Sequence, residues 1–138
     1  MAKSLYYRLF GAWKISEPLL SQLKNEGILF FDEGVKGSVT YRNFRAPGKR
    51  TNWRRQWFTG SIVLTKLRLF GLMYSNTIVN VPLADERIRS LHYSQEGDDG
   101  FCISFDAGLF HSDWSGTIEY RFRTDQAQQF RELLKQTR

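Results

Sequence analysis

Hydrophobic and polar residues alternate along the middle of the chain, while both ends read with helical spacing. In "KSLYYRLFGAWK" Leu5, Tyr6, Leu9, Phe10 and Trp13 recur at helical intervals, with Lys3, Arg8 and Lys14 off that face. "SEPLLSQLKNEG" predicts a second helix. Ser16 is its N-cap, Glu17 and Pro18 its first turn, Leu19, Leu20 and Leu23 its apolar face and Gly27 its stop. The period then changes. "ILFF", "GSVTYRNF", "WRRQWF", "SIVLT", "LRLFGLMY", "TIVNVPL", "IRSLHYS" and "FCISF" are β-rich runs, cut by the turn chemistry of "APGK", "EGDDG", "DAG" and "WSG". In "TIEYRFR" Ile118, Tyr120 and Phe122 alternate with Glu119, Arg121 and Arg123, so one face is buried and the other wet. The closing "TDQAQQFRELLKQTR" predicts a helix over 124–137, with Thr124 as cap and Ala127, Phe130, Leu133 and Leu134 as one stripe.

The pattern therefore predicts a mainly β fold: a two-sheet, strongly bent antiparallel sandwich or partial barrel of about seven strands. The terminal helix covers the apolar opening that a curled sheet leaves. Residues 1–26 form a helical extension and residues 27–138 the β domain.

Composition narrows this picture. A length of 138 residues suits one domain. A chain 41% hydrophobic and 15% aromatic buries a core rather than staying disordered. The single Cys102 excludes an intrachain disulfide and suits a reducing cytoplasm. No apolar run approaches the roughly 20 residues of a membrane span, and the N-terminus lacks the apolar stretch of a signal peptide.

Charge changes the picture more. The net +6 is segregated. Residues 1–33 balance, residues 34–84 hold nine bases and no acid, and residues 85–138 carry an acidic excess. A solvated surface usually mixes signs. Arg42, Arg45, Lys49, Arg50, Arg54 and Arg55 are the candidate ligand-binding residues, because hairpin geometry holds the ends of two strands and their loop together as one positive rim. The segment has three readings: an exposed loop, a site for an anionic membrane or ligand, and, least favoured, a nucleic-acid surface that interleaves aromatic and basic groups. Trp53, Arg55 and Trp57 share one strand face and Arg54, Gln56 and Phe58 the other. The two Trp are expected at core and rim rather than as stacking platforms. In the first helix Tyr6, Phe10 and Trp13 are candidate membrane contacts; packing on the domain or on a partner is the alternative.

Catalytic chemistry is not legible. His111, Ser112 and Asp113 are adjacent, so their side chains point apart, and "FHSDWS" reads as a turn rather than a triad. His92 and His111 are the only histidines, no Cys or His pair has metal spacing, and no phosphate-binding Gly pattern occurs. Cys102 reads as an inert strand residue. The expectation is a binding module without cofactor or metal, not an enzyme.

Three stretches carry a family likeness. "KG" at 36–37 followed by "NWRRQWF" resembles the opening hairpin of pleckstrin-homology domains, with a Gly-led strand, a basic loop and alternating Trp and basic residues. "GSIVLTKLRLF" with "VNVPLADERIRSL" resembles the related GRAM pattern. "TDQAQQFRELL" is similar to the closing helix, with Phe130 where many members carry Trp. The likeness covers about residues 27–137. It implies a non-catalytic adaptor whose partners are phosphoinositide headgroups or proteins. Phosphoinositide-binding members place a Lys late in the first strand and an Arg before the aromatic pair of the second; Tyr41 and Gln56 stand there, and only Arg54 matches a basic position. The basic residues, each adding a little near an anionic surface, then point to weak, salt-sensitive association with anionic lipid headgroups, and the expected location is the cytoplasm, at the inner membrane face. A protein–protein module with no lipid role and an RNA-binding β-domain are alternatives. A further likeness, "FGAWKISE" to the start of fatty-acid-binding proteins, implies a closed lipid barrel.

Overall fold

The computed structural model describes residues 16–74 and 76–137. Helix α1 spans Glu17–Glu26 and is followed by β1 (Ile28–Ala46), β2 (Lys49–Thr65), β3 (Arg68–Met73) and β4 (Asn76–Pro82). After a 3-10 turn (Glu86–Ser90) come β5 (His92–Gln95), β6 (Gly100–Asp106) and β7 (Ser115–Arg123), then α2 (Ala127–Thr137). The first predicted helix, with Tyr6, Phe10 and Trp13, lies outside the described residues.

All seven strands join one antiparallel sheet in the order β4-β3-β2-β1-β7-β6-β5. Its two ends, β4 and β5, do not pair, so the sheet is not a barrel. It bends instead: Leu69, Val79 and Val81 of one wing share a core with Ile103 and Phe105 of the other. The expected two layers are therefore the two wings of a single sheet. This overturns the lipid-barrel reading. The space enclosed by Leu69, Ile88, Leu91, Tyr93, Ile103 and Leu134 is about 10 Å³, no more than a water needs.

The bend is built into β1. "ILFF" and "GSVTYRNF" fuse into one 19-residue strand, and "WRRQWF" and "SIVLT" into one of 17. The chain continues because Gly34, with φ 72°, sits in a register shift between Glu33 and Val35; a bulge of this kind bends a strand without ending it. Gly37, read from the sequence as leading a strand, lies in the middle of one. It pairs with Phe58 on one side and Phe122 on the other, and those rings meet edge-on at 5.8 Å. A Cβ there would fall 2.6 Å from the Arg121 carbonyl oxygen and 2.8 Å from the Phe58 ring.

Helix α2 covers the mouth between the wings. It begins three residues later than the sequence suggested, because Thr124 is buried: its hydroxyl donates to Asp32 Oδ2 (2.7 Å) and accepts from the Gln126 N–H (3.2 Å). Ala127, Phe130 and Leu134 are buried. Phe130 stacks on Phe101 at 4.4 Å and meets Phe30 edge-on at 5.0 Å, so one ring ties β1, β6 and the helix. "IRSLHYS" is only half strand. Asp85 accepts from the Arg87 N–H at 2.9 Å and caps a 3-10 turn, which places Ile88 and Leu91 three apart on the core side.

Helix α1 packs on the outer face of the sheet. Leu23 is buried against Val63, Phe70 and Leu72, flanked by Leu19 and Leu20. Glu26 fastens its end, accepting from the Thr65 hydroxyl (2.9 Å) and pairing with Arg68 (2.8 Å).

Candidate functional site

Chain order places the basic segment at the tip of the β1–β2 hairpin. Ala46 pairs with Lys49 across Pro47 and Gly48. Pro presets the first turn position and Gly48, at φ 75°, accepts the left-handed second. Arg45 then lies opposite Arg50 and Tyr41 opposite Arg54. Like charges directly opposed destabilise a strand pair, so the Arg45–Arg50 pairing is held against its own electrostatics.

The hairpin gathers all six predicted basic residues along one arm, but strand alternation divides them rather than leaving a single rim. Lys49, Arg50 and Arg54 line an open groove of about 600 Å³ between the hairpin tip and the turn before β7. Arg55 lies on the opposite face, where its Nε donates to the Thr40 hydroxyl at 3.0 Å. Arg42 is engaged by Glu119 at 3.1 Å, and Glu119 also holds Arg121 at 3.1 Å. Burial alone would raise the Glu119 carboxyl, but hydrogen bonds from Arg121 and Arg42 outweigh it and hold the group below its ordinary value. Arg45 is exposed at the arm's end.

The groove has an apolar floor and a polar mouth. Phe44, Trp114, Ile118 and Tyr120 form the floor; Tyr41, Thr51 and Gln56 stand with the three cations, and no acid lines it. The floor is rigid: Phe44 meets Tyr41 at 5.0 Å and Trp114 at 5.4 Å. Trp114 is set by the turn read from "FHSDWS", in which its N–H donates to the His111 carbonyl (3.0 Å), and it stacks on the His111 ring at 3.6 Å. Burial pushes the Tyr41 hydroxyl up, against the pull of Arg54, so at neutral pH it is a protonated donor. Lys49, Arg50 and Arg54 have no ion-pair partner among the described residues. Positive charge, hydroxyl and amide donors and an aromatic floor suit an anionic group carried on a partly apolar body.

Sequence reasoning did not select Trp114, Ile118, Tyr120 or Phe44. Alternation in "TIEYRFR" marks Ile118 and Tyr120 as one face, but only the β1–β7 pairing, Tyr41 opposite Ile118 and Val39 opposite Tyr120, brings that face to the hairpin. The expectation for the two Trp is corrected. Trp53 is 54% and Trp57 69% exposed; among the described residues no element packs on the outer face there, which α1 does not reach. The Arg55 guanidinium lies between them, 5.5 Å and 6.0 Å from the two ring centroids.

Elsewhere the site inventory is short. Cys102 is buried, and burial raises its thiol to about 11, which leaves it unreactive at neutral pH. Among the described residues no group of His, Cys, Asp and Glu could hold a metal ion, and no helix is long and apolar enough to cross a membrane. No protein-family model and no curated protein sequence matches the chain.

Proposed function

We propose that the chain is a non-catalytic binding module of the pleckstrin-homology-like kind, which rests on anionic membrane surfaces through the groove at the hairpin tip. One observation carries this reading. Lys49, Arg50 and Arg54 converge on a groove whose lining contains no acid, beside donors from Tyr41, Thr51 and Gln56. The strand order with a helix across the open end supports the family likeness. The departures from the phosphoinositide-binding pattern fall inside the same groove: Tyr41 and Gln56 donate hydrogen bonds but add no charge. The binding is therefore weak and salt-sensitive, with little headgroup selection, and it biases the protein toward the inner face of a membrane rather than anchoring it there. The test is co-sedimentation with vesicles of phosphatidylcholine alone and of phosphatidylcholine with phosphatidylserine. Partition onto the anionic vesicles at low salt, released at high salt, is expected. Equal partition onto both, or none at low salt, refutes the reading.

A further inference from the structure

The arm has a second, independent surface on its other side. Strand β3 pairs with β2 only from Gly60 to Leu64. The Trp57 and Thr59 carbonyls accept from the Tyr74 hydroxyl (3.3 Å) and the Tyr74 N–H (2.8 Å). Counting back from Thr59, Trp57, Arg55 and Trp53 therefore turn their main-chain groups toward the β3 side; the alternation breaks at the unpaired Asn43, with φ 49°, and Thr51 faces the groove. From Lys49 to Phe58 no described strand continues there, so Trp53 and Arg55 present main-chain groups at an open edge. The Trp53 carbonyl accepts from the Thr51 hydroxyl at 3.3 Å. Edges of this kind pair with other chains unless they are guarded.

The exposed side chains of the edge strand itself are aromatic and basic, while Glu96 and Asp99 of the β5–β6 turn line a hollow on the same face with Arg55, Trp57, Arg121 and Arg123. Trp53 and Trp57 stand exposed on the outer face with Arg55 between them. Four residues of strand separate their backbone positions by about 13 Å, and both rings lean toward the Arg55 guanidinium between them. Arg54 points to the other face, Lys49 and Arg50 lie toward the tip, and no acid occurs between residues 34 and 84. A second copy of this chain is a poor occupant, since pairing β2 with β2 would oppose its own cations. A nucleic acid would stack on the two Trp but leave the main-chain edge unused.

We propose that the open edge of β2 receives an acidic, extended segment of another protein as an added strand. Main-chain hydrogen bonds to Trp53 and Arg55 supply affinity, and alternate side chains supply specificity. Residues of the added strand on the outer face lie against Trp53 and Trp57, and its carboxylates meet Arg55 there. This surface does not depend on the groove reading.

The test uses the whole chain, isotopically labelled, and a capped ten-residue peptide of alternating Glu and Val. Amide exchange at Trp53 and Arg55 is expected to slow by at least about tenfold at saturation, with a change in Trp fluorescence. The same peptide N-methylated at alternate amides, in both registers, is expected to bind about tenfold or more weakly, since only strand pairing needs those N–H groups. The exposed pair W53A/W57A is expected to weaken binding with the exchange pattern of the free protein retained. The proposal is overturned by no binding of the Glu-Val peptide, by equal binding of the methylated forms or of a Lys-Val peptide, or by a ten-nucleotide oligouridylate that quenches the Trp while the peptide does not. Vesicle partition reads the opposite face, so either result stands whatever the other shows.

Discussion

Replacing Lys49, Arg50 and Arg54 together by Ser separates the groove from the rest of the basic arm. All three are exposed, and none has an acid partner among the described residues. The fold should therefore hardly notice; surface changes of this kind stay within about 0.5 kcal/mol. Each cation close to an anionic surface contributes about 1 kcal/mol. Their joint loss is about 3 kcal/mol, on the order of a hundredfold in partition. R55S removes one unit of charge, as each single groove variant does, but Arg55 projects from the opposite face. At physiological ionic strength, where the Debye length is about 8 Å, a charge on that face is screened from a membrane held at the groove more strongly than the groove cations are. The assay is partition onto phosphatidylserine vesicles, with thermal unfolding as the control on folding. The triple variant should lose binding and R55S should keep most of it. Equal losses for R55S and for each groove single variant would show that net charge alone drives binding and that the groove has no part in it. An internal check comes from Tyr41. Arg54 now pulls its hydroxyl downward, so in R54S the Tyr41 titration followed by ultraviolet absorbance should move further up.

Three further outcomes follow from the packing. F130A removes a fully buried ring that touches Phe101, Phe30 and Tyr93; a loss of about 3–5 kcal/mol is expected by chemical denaturation, and deleting residues 124–138 should unfold or aggregate the domain. G37A forces a methyl against the Arg121 carbonyl and the Phe58 ring, so its unfolding midpoint should fall well below that of an exposed control such as N52A, and an unchanged midpoint would disprove the close approach. Glu119 titrates in the folded state below its ordinary 4.5, so its contribution to stability is complete above that value and is lost as pH falls through the lowered one. E119Q should accordingly be less stable than the parent at neutral pH, with the gap closing toward acid pH; a gap constant with pH would remove the two arginine contacts as its cause.

The sequence by itself determined the elements whose physics is local. The period of two in "TIEYRFR", the leucines of α1, the stripe of α2 and the Pro47-Gly48 turn are fixed by neighbours a few residues apart, and each folds where its pattern lies. Alternation also sorted the arm correctly, with Trp53, Arg55 and Trp57 on one face and Arg54, Gln56 and Phe58 on the other. Tertiary structure decided what those faces meet. A bulge at Gly34 kept β1 going where the sequence suggested an ending, because bending onto a shared core rewards one long strand over two short ones. Ile88 and Leu91 went inward on a 3-10 turn because Asp85 capped it. The groove exists only because β7, some eighty residues along the chain, pairs with β1 and carries Ile118 and Tyr120 to the hairpin, with Trp114 on the turn before it. Among the described residues no element packs over the two Trp, since α1 stops short of them and β3 ends at Met73. Charge segregation announced a basic arm; which cations share a surface was set by pairings that no local pattern encodes.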